Sequence, residues 1–271
     1  MGPDAVRQGA QTRSPAPAFD PSAYKDLLER EGRHFWFLAR KRLVREIIQQ
    51  IAPRLGEGFR AIEAGCGNGD LLGVLEGISG HPFAVGIDLF HEGLLHARGR
   101  VSCPLIQGDV RNVAFRKPFD LVLLCDVLEH IDDDAAALEN IHGFLKPAGT
   151  LLLTVPAHPS LWSVFDESAG HRRRYTLREL ECRLLRAGFS VDYLTHFMAP
   201  VLPLVWFKRR VAEPCMPANP TDLAVIPFVN GFLERLLAVE IPLVLSRRRI
   251  PFGSSILALA SRSAGPYGGG G

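Results

Sequence analysis

The sequence has few cysteines and no excess of charge of either sign. Its five cysteines, Cys66, Cys103, Cys125, Cys182 and Cys215, are widely spread and form no CxxC pair. Neither a disulfide framework nor a zinc site is therefore expected, and reduced thiols in a cytoplasm fit best. Lys and Arg number 31 against 29 Asp and Glu, which is unlike the strongly basic face of a nucleic-acid-binding protein. We expect small molecules or another protein as partners, and no nucleic acid.

Long hydrophobic runs are also missing. The longest uncharged run, 193–207, has 15 residues and contains Pro200 and Pro203, whereas a membrane span needs about 20 apolar residues. The first residues include Asp4 and no apolar core, so they predict neither a signal peptide nor an anchor. We expect residues 1–20 and 263–271 to be disordered tails around one domain, 21–262, whose 47% hydrophobic content is ordinary for a globular protein.

What is present is an alternation of helices and short apolar strands. Between Ala23 and Gln50 apolar residues recur at three- and four-residue spacing, which predicts helices that Pro53 ends. These helices form an N-terminal segment, 21–56. Uniformly apolar strands separated by helices follow, and they predict a parallel sheet covered on both faces. The predicted strands are Phe59 to Glu63, Phe83 to Asp88, Pro104 to Gln107, Phe119 to Cys125, Thr150 to Val155, Phe189 to Phe197 and Ser254 to Ser261.

A glycine-rich loop, Glu63 to Gly69, lies between the first of these strands and a helix. Glycines let the backbone turn sharply and approach a ligand closely, so a nucleotide-like ligand is indicated. A dinucleotide fingerprint would need a further glycine at position 70, where the sequence has Asp70. The carboxylate of Glu63 would repel a diphosphate, but it suits a ligand that carries an ammonium group.

Two more acids follow later strands. Asp88 ends the second strand, where a carboxylate can accept both hydroxyls of a ribose. Asp109 follows the third strand and could accept a hydrogen bond from an exocyclic amine, with Leu89 and Val110 as apolar walls. Carboxyl ends of strands are where open α/β sheets bind their ligands, so the pattern indicates an adenosine-like ligand.

These motifs, over roughly residues 34 to 195, resemble a class I S-adenosylmethionine-dependent methyltransferase of the group that includes ubiquinone-biosynthesis-like domains. The resemblance implies a Rossmann-like α/β fold with a seven-stranded, mainly parallel sheet and helices on both faces. It also implies an N-terminal helical lid and leaves a helical insertion, 198–250, before an antiparallel last strand. The implied cofactor is S-adenosyl-L-methionine, bound by Glu63, Gly65, Cys66, Gly67, Gly69, Asp88, Leu89, Asp109, Val110, Cys125, Asp126, Val127 and His130.

The segment from His34 to Arg40 resembles a lid that folds over the cofactor in a subset of these enzymes. That resemblance adds Trp36 and Arg40 to the expected cofactor contacts. The alternative is that Phe35 and Phe37 are simply core residues of an amphipathic helix. The sequence leaves both interpretations open.

The acceptor is expected in the loop from Ala157 to Tyr175, after the fifth strand. Trp162, Asp166, Arg173 and Tyr175 are the candidate substrate-binding residues, because tryptophan can form a wall and arginine can bind an anion. The candidate catalytic residues are His171 and His158, with His130 after the fourth strand, because histidine can take a proton near neutral pH. The alternative is a solvated charged loop before a helix that Thr176 caps.

Two charged clusters have structural alternatives. Glu129, His130 and the acids 132–134 could bind a divalent metal, but acids at a helix start more often interact with the helix dipole, so no metal is expected. The basic triplets 208–210 and 247–249 suggest peripheral contact with a membrane surface or a lipid-linked acceptor. Such triplets are also typical of solvated helix ends.

The sequence thus predicts methyl transfer to a small-molecule or lipid-linked acceptor, with oxygen as the preferred acceptor atom. Two alternatives remain open at this point. One is a non-catalytic module that keeps the fold to bind a partner through its basic insertion. The other is a nicotinamide-dependent oxidoreductase, against which the glycine spacing and Glu63 argue.

Overall fold

A computed structural model of the chain describes residues 31–212 and 227–263. Its seven strands form one sheet in the order β3-β2-β1-β4-β5-β7-β6. The strands are β1 (Arg60–Ala64), β2 (Phe83–Asp88), β3 (Leu105–Gln107), β4 (Phe119–Cys125), β5 (Leu145–Pro156), β6 (Phe189–Phe197) and β7 (Ser255–Arg262). The helices are α1 (Phe35–Leu55), α2 (Asp70–Glu76), α3 (His91–Ala97), α4 (Asp134–Phe144), α5 (Val164–Ser168), α6 (Leu177–Arg186), α7 (Leu202–Phe207), α8 (Pro227–Ala238) and α9 (Ile241–Leu245).

The sheet confirms the predicted seven-stranded, mainly parallel α/β fold. Strands β1 to β5 pair in parallel, and β7 runs antiparallel between β5 and β6. The strand β5 is longer than predicted, because Leu145 already pairs with Phe119 before an irregularity shifts the register. The parallel strands all place their carboxyl ends at one edge of the sheet, which is where the loops with the predicted site residues leave it.

The uniform apolar run in β4 is explained by its position between two cores. Leu121 and Leu123 pack into the core on one face of the sheet, while Val122 and Leu124 pack into the core on the other. All four side chains are fully buried. A strand covered on both faces cannot alternate apolar and polar residues, so the uniform run was the correct signal for a parallel sheet.

The N-terminal helix α1 packs against the insertion. Helix α1 contacts helix α8, and the backbone N–H of Phe35 donates to Oδ1 of Asn230 at 2.8 Å. The helix contains Pro53 near its end and stops at Gly56, which has a φ of +83°, so the prediction that Pro53 ends it was wrong by two residues. The predicted helical residues 23–30 and the tail 1–20 lie outside the described residues.

The insertion before β7 is helical where it is described. It contains α7, a π-helical turn (Lys208–Ala212), α8 and α9. Within residues 31–212 and 227–263, no helix combines the length and the apolar character that a membrane span requires.

Candidate cofactor and acceptor site

The glycine-rich loop after β1 requires glycine at two of its turns. Gly65 has a φ of +77°, and a Cβ there would lie 2.4 Å from Cγ2 of Val127. Gly69, at φ +82°, is the N-cap of α2, and its Cβ would lie 3.2 Å from Cβ of Ala97. The backbone amides of Gly65 and Cys66 both donate to the carbonyl of Ile87. The loop is therefore closely held against β2 and against the turn that follows β4.

Asp88, at the end of β2, ties this loop to the start of the next helix. Its Oδ2 accepts the backbone N–H of Gly67 at 2.7 Å, and its Oδ1 accepts that of Phe90 at 2.8 Å. The side chain is buried, whereas the neighbouring Leu89 is exposed. Asp88 is therefore a buried carboxylate that joins the glycine-rich loop to the turn after β2.

Glu63 is a buried carboxyl group at the end of β1. It is 5% exposed, and its Oε2 has no hydrogen-bond partner among the described residues. Burial raises the pKa of Glu63 well above its ordinary value, and the nearby carboxylates of Asp70, Glu31 and Asp88 add to the rise, against the opposing charge of Arg40. Such a group is satisfied by a ligand that brings a positive charge and N–H donors.

Asp109 lies at the predicted adenine end of the site, but its oxygens face an arginine of its own loop. Arg111 donates from Nε and Nη2 to both oxygens of Asp109, at 2.6 to 3.0 Å. Burial alone would raise the pKa of Asp109, but the bonds from Arg111 lower it. Val110 is buried beside it, and the carbonyl of Val110 accepts a hydrogen bond from Asn140.

The turn after β4 is joined to the N-terminal helix by a buried ion pair. Nη1 of Arg40 lies 2.6 Å from Oδ2 of Asp126, which also accepts the hydroxyl of Thr154. The guanidinium of Arg40 stacks over the ring of Trp36 at 4.8 Å. Burial opposes the charge of Arg40, but Asp126 outweighs it and raises the pKa of the guanidinium. The structure thus places Arg40 between Asp126 and Trp36, and the preceding residue Cys125 is buried.

The acceptor loop is organised around Asp166, which is fully buried. Its Oδ1 contacts Nδ1 of His171 and Nε of Arg174, each at 2.8 Å, and its Oδ2 contacts Nη1 of Arg209 at 3.2 Å. Burial would raise the pKa of Asp166, but these three partners lower it. The prediction that Asp166 binds substrate is not supported by this position, because its oxygens are all occupied by the chain itself.

Tyr175 and Arg173 are likewise engaged with the chain. Tyr175 is 1% exposed, and its hydroxyl donates to Oδ2 of Asp134 at 2.8 Å. Arg173 pairs with the same carboxylate oxygen at 2.9 Å. Tyr175 is a core residue, which corrects its assignment to the substrate. Trp162, in contrast, is partly exposed, and its Nε1 donates to Glu167.

His158 lines an apolar groove of about 610 Å³ with Ser160, Leu161, Leu202, Pro203, Trp206 and Phe207. Its Nε2 is buried and has no hydrogen-bond partner in the described parts of the chain. Its ring stacks on that of His196, with centroids 5.0 Å apart. Burial lowers the pKa of His158, against a hydrogen bond to the backbone of Gly253, so the ring is neutral near pH 7.

Sequence reasoning missed two important groups. Glu129 is 1% exposed and lies beside His130; the sequence suggested it as a possible metal ligand but favoured a role at a helix start. Burial, followed by the charge of Asp126, raises the pKa of Glu129, and burial lowers that of His130 to about 3. Arg209, in a triplet interpreted as solvated or membrane-facing, is turned inward to Asp166. The acids 132–134 are structural, and Asp133 caps α4 by accepting the N–H of Ala136.

Comparison with known proteins agrees with this arrangement. The family described as "Methyltransferase domain" matches residues 36–194. The trans-aconitate 2-methyltransferase of Azoarcus sp. strain BH72 is 25% identical over 174 residues, 64% of this chain and 62% of that protein. The ubiquinone biosynthesis O-methyltransferase of Rhodopseudomonas palustris strain TIE-1 is 29% identical over 102 residues, 36% of this chain and 40% of that protein. The chain spans 40 to 62% of the length of these curated relatives.

A solved structure shows the same fold over nearly the whole chain. It is a chain of the Haloferax volcanii complex between the Trm112 methyltransferase activator and a methyltransferase, with a TM-score of 0.60 and 19% identity. The match covers 92% of this chain and 100% of that one. The family match over residues 36–194 argues against a nicotinamide-dependent oxidoreductase. The chain belongs to the methyltransferase domain family.

Proposed function

We propose that the protein methylates an oxygen of a lipid-linked acceptor, with His158 as the general base. The observation that carries this proposal is the neutral His158 ring, whose Nε2 has no hydrogen-bond partner among the described residues, in a groove lined by Trp206 and Phe207. A largely apolar groove lined by a neutral histidine suits an acceptor with a hydroxyl on a hydrophobic body.

The residues at the ends of β1 and β2 would hold the cofactor. Glu63 would offer its unsatisfied buried oxygen to the ammonium group, and the carboxylate of Asp88, at the end of β2, would face the ribose. Because residue 65 is glycine, no Cβ projects from the loop toward Val127 in the turn after β4. When bound, the cofactor supplies a methyl group on a positively charged sulfur, so the protein's task is alignment and proton removal.

The ring of His158 is held in the orientation that proton transfer needs. The bond to the backbone of Gly253 and the stack on His196 fix the ring. Because Nε2 is the nitrogen without a hydrogen-bond partner among the described residues, the proton sits on Nδ1 and Nε2 has a lone pair for the acceptor hydroxyl. His158 would take that proton as the oxygen attacks the methyl group.

The surface around the groove supports a lipid-linked acceptor. Leu204, Trp206 and Phe207 of α7 are each 54 or 55% exposed, which is unusual for three large apolar side chains in one turn and a half of helix. Arg248 and Arg249 are also exposed in the same insertion. Apolar side chains in a segment that also carries exposed cations are typical of peripheral contact with an anionic lipid surface.

Calorimetric titration tests the cofactor half of the proposal. The wild type is expected to bind S-adenosylmethionine and S-adenosylhomocysteine, and Asp88→Ala is expected to bind both much more weakly. The absence of binding by a folded wild type would contradict methyl transfer and would favour the non-catalytic partner-binding alternative.

Label transfer tests the acceptor half. Tritiated S-adenosylmethionine is incubated with the protein and with either the lipid extract or the soluble metabolites of a bacterial lysate. Label is expected in an organic-soluble product from the lipid extract, and Trp206→Ser is expected to reduce it while cofactor binding stays unchanged. Leu185→Ser, at an equally exposed leucine on α6, serves as the control. Transfer only to soluble metabolites would overturn the lipid-linked acceptor.

A further inference from the structure

Three side chains from two separate loops converge next to the acceptor loop. Glu129 and His130 lie in the turn Leu128–His130 after β4, and His171 follows α5. One potential ligand atom from each of them lies within 4.8 Å of the other two. The rings of His130 and His171 have centroids 4.8 Å apart at an interplanar angle of 81°. In sequence, His171 is 41 residues from His130, so the convergence is visible only in the fold.

The carboxyl group of Glu129 is the least satisfied member of the cluster. It is 1% exposed, and its Oε2 finds no hydrogen-bond partner within the described chain. A buried carboxyl oxygen without a partner costs free energy, and native structures rarely keep one without a reason. A bound cation would supply the missing partner.

His171 is oriented in the way that metal-binding histidines are oriented. Its Nδ1 lies 2.8 Å from Oδ1 of Asp166, and Arg174 holds the same oxygen. A ring whose Nδ1–H donates to a carboxylate has its Nε2 lone pair available as a ligand, and this carboxylate–histidine pair is the usual second shell of a metal site. A cation bound at Nε2 would use the ring nitrogen that does not face Asp166.

The two loops are also fixed to each other. The backbone N–H of Arg172, the residue after His171, donates to the carbonyl of Glu129 at 2.7 Å. The acids nearby are engaged elsewhere, since Asp132 pairs with Arg172 and Asp134 with Arg173 and Arg183. The two loops are therefore held together by these contacts, and the ring of His130 also hydrogen-bonds to the backbone of Gly170.

We propose that Glu129, His130 and His171 bind a divalent first-row transition metal ion, such as Zn²⁺, Mn²⁺ or Co²⁺, with coordination positions left open. One carboxylate and two imidazoles favour these ions over Mg²⁺ and Ca²⁺, which prefer oxygen ligands. This proposal differs from the expectation from sequence that no metal binds. An ion at the edge of the acceptor loop would bind an acceptor oxygen and lower its pKa; that role rests on the proposed function, whereas metal binding does not.

Cobalt binding tests the site without any measurement of activity. The full-length chain, without a histidine tag and freed of metal by a chelator, is titrated with Co²⁺ and followed by visible absorption and calorimetry. We expect one Co²⁺ per chain, and affinity at least about tenfold lower in Glu129→Gln and in His171→Gln. His142→Gln is the matched control, because His142 packs on Phe189 outside the cluster, and it is expected to bind like the wild type.

If a variant fails to fold, X-ray absorption spectroscopy of the Zn²⁺-loaded wild type identifies the ligands of the ion instead. Two imidazoles and oxygen ligands without sulfur support the site, whereas sulfur ligands would assign the ion to cysteines and overturn it. Equal affinity in all folded variants, or no binding by the wild type, would also overturn it. Binding of S-adenosylhomocysteine, measured in parallel, shows whether the proposed function fails independently.

Discussion

Arg40 and Asp126 form an ion pair, 2.6 Å from Nη1 to Oδ2, that fastens the N-terminal helix to the turn after β4. The side chains of Arg40 and Asp126 are 9% and 13% exposed, so neither charge is well solvated. The pair connects the predicted lid to the strand edge where the cofactor loop lies. Its loss should therefore affect both stability and cofactor binding.

The first prediction concerns this pair. Arg40→Met is expected to lower the free energy of unfolding by about 3 kcal/mol, because it leaves the carboxylate of Asp126 buried without its cation. The measurement is urea unfolding at pH 7. Arg40→Met combined with Asp126→Asn should recover part of the loss, since both charges are then removed. A loss equal to the sum of the two single variants would show that the residues do not interact.

The second prediction concerns the two glycines near α2. Gly65→Ala is expected to destabilise the protein by about 2 kcal/mol or more and to abolish cofactor binding, because its Cβ would overlap Val127 and its φ is +77°. Gly73→Ala is the matched control. Gly73 is in the helix α2, and a Cβ there meets no atom within 4 Å, so Gly73→Ala should raise stability by about 0.5 to 1 kcal/mol.

Val127→Ala provides a second check on the reason for that effect. Combined with Gly65→Ala it should recover some stability, because the overlap disappears while the positive φ remains. Thermal unfolding of the wild type, Gly65→Ala, Val127→Ala and the double variant measures this recovery of stability. No recovery at all would mean that backbone strain, and not the contact with Val127, is the main cost at this position.

Local patterns were sufficient for the sheet and for the placement of Glu63 and Asp88 at its carboxyl edge. The central strand β4 is uniformly apolar, and Glu63 and Asp88 lie at the carboxyl ends of β1 and β2, so their shared edge followed from parallel pairing. The acceptor loop could not be predicted in the same way. Asp166 is paired with Arg209, 43 residues later, and no local pattern reports a contact made by tertiary packing.

The same limit applies to the metal-binding cluster and to the insertion. The only local signal for a metal site at Glu129 and His130 is the run of acids 132–134 that follows them. Those acids serve instead as a helix cap and as ion-pair partners. The packing of α8 on α1, fixed by Asn230 and Phe35, joins residues 195 positions apart. Polar contacts over such separations depend on the whole fold.

The third prediction concerns the pH dependence of stability at Glu63. Its folded-state pKa lies above the ordinary value of 4.5, so wild-type stability falls as the pH rises from about 4.5 toward the folded-state pKa. Glu63→Gln removes this titration. Urea unfolding should show the variant and the wild type equally stable near pH 4 and the variant more stable at pH 7 to 8.

Cofactor affinity should change in the opposite direction in the same variant. Glu63→Gln is expected to bind S-adenosylmethionine at least about tenfold more weakly, because the amide lacks the charge that pairs with the ammonium group. A variant that is both more stable and binds as tightly as the wild type would remove Glu63 from the cofactor site.

The last prediction concerns the base. His158→Gln should lower kcat by a factor of about 100 or more, with S-adenosylmethionine affinity unchanged, whereas His142→Gln should leave kcat near the wild-type value. Because burial holds the pKa of His158 below its ordinary 6.5, the wild-type rate should be flat above pH 6.5 and fall below it as the ring takes a proton. That acid limb should vanish in His158→Gln. If the acid limb persists in His158→Gln, another residue titrates and His158 is not the base. The cluster of Glu129, His130 and His171 would then be the first candidate for activating the acceptor oxygen.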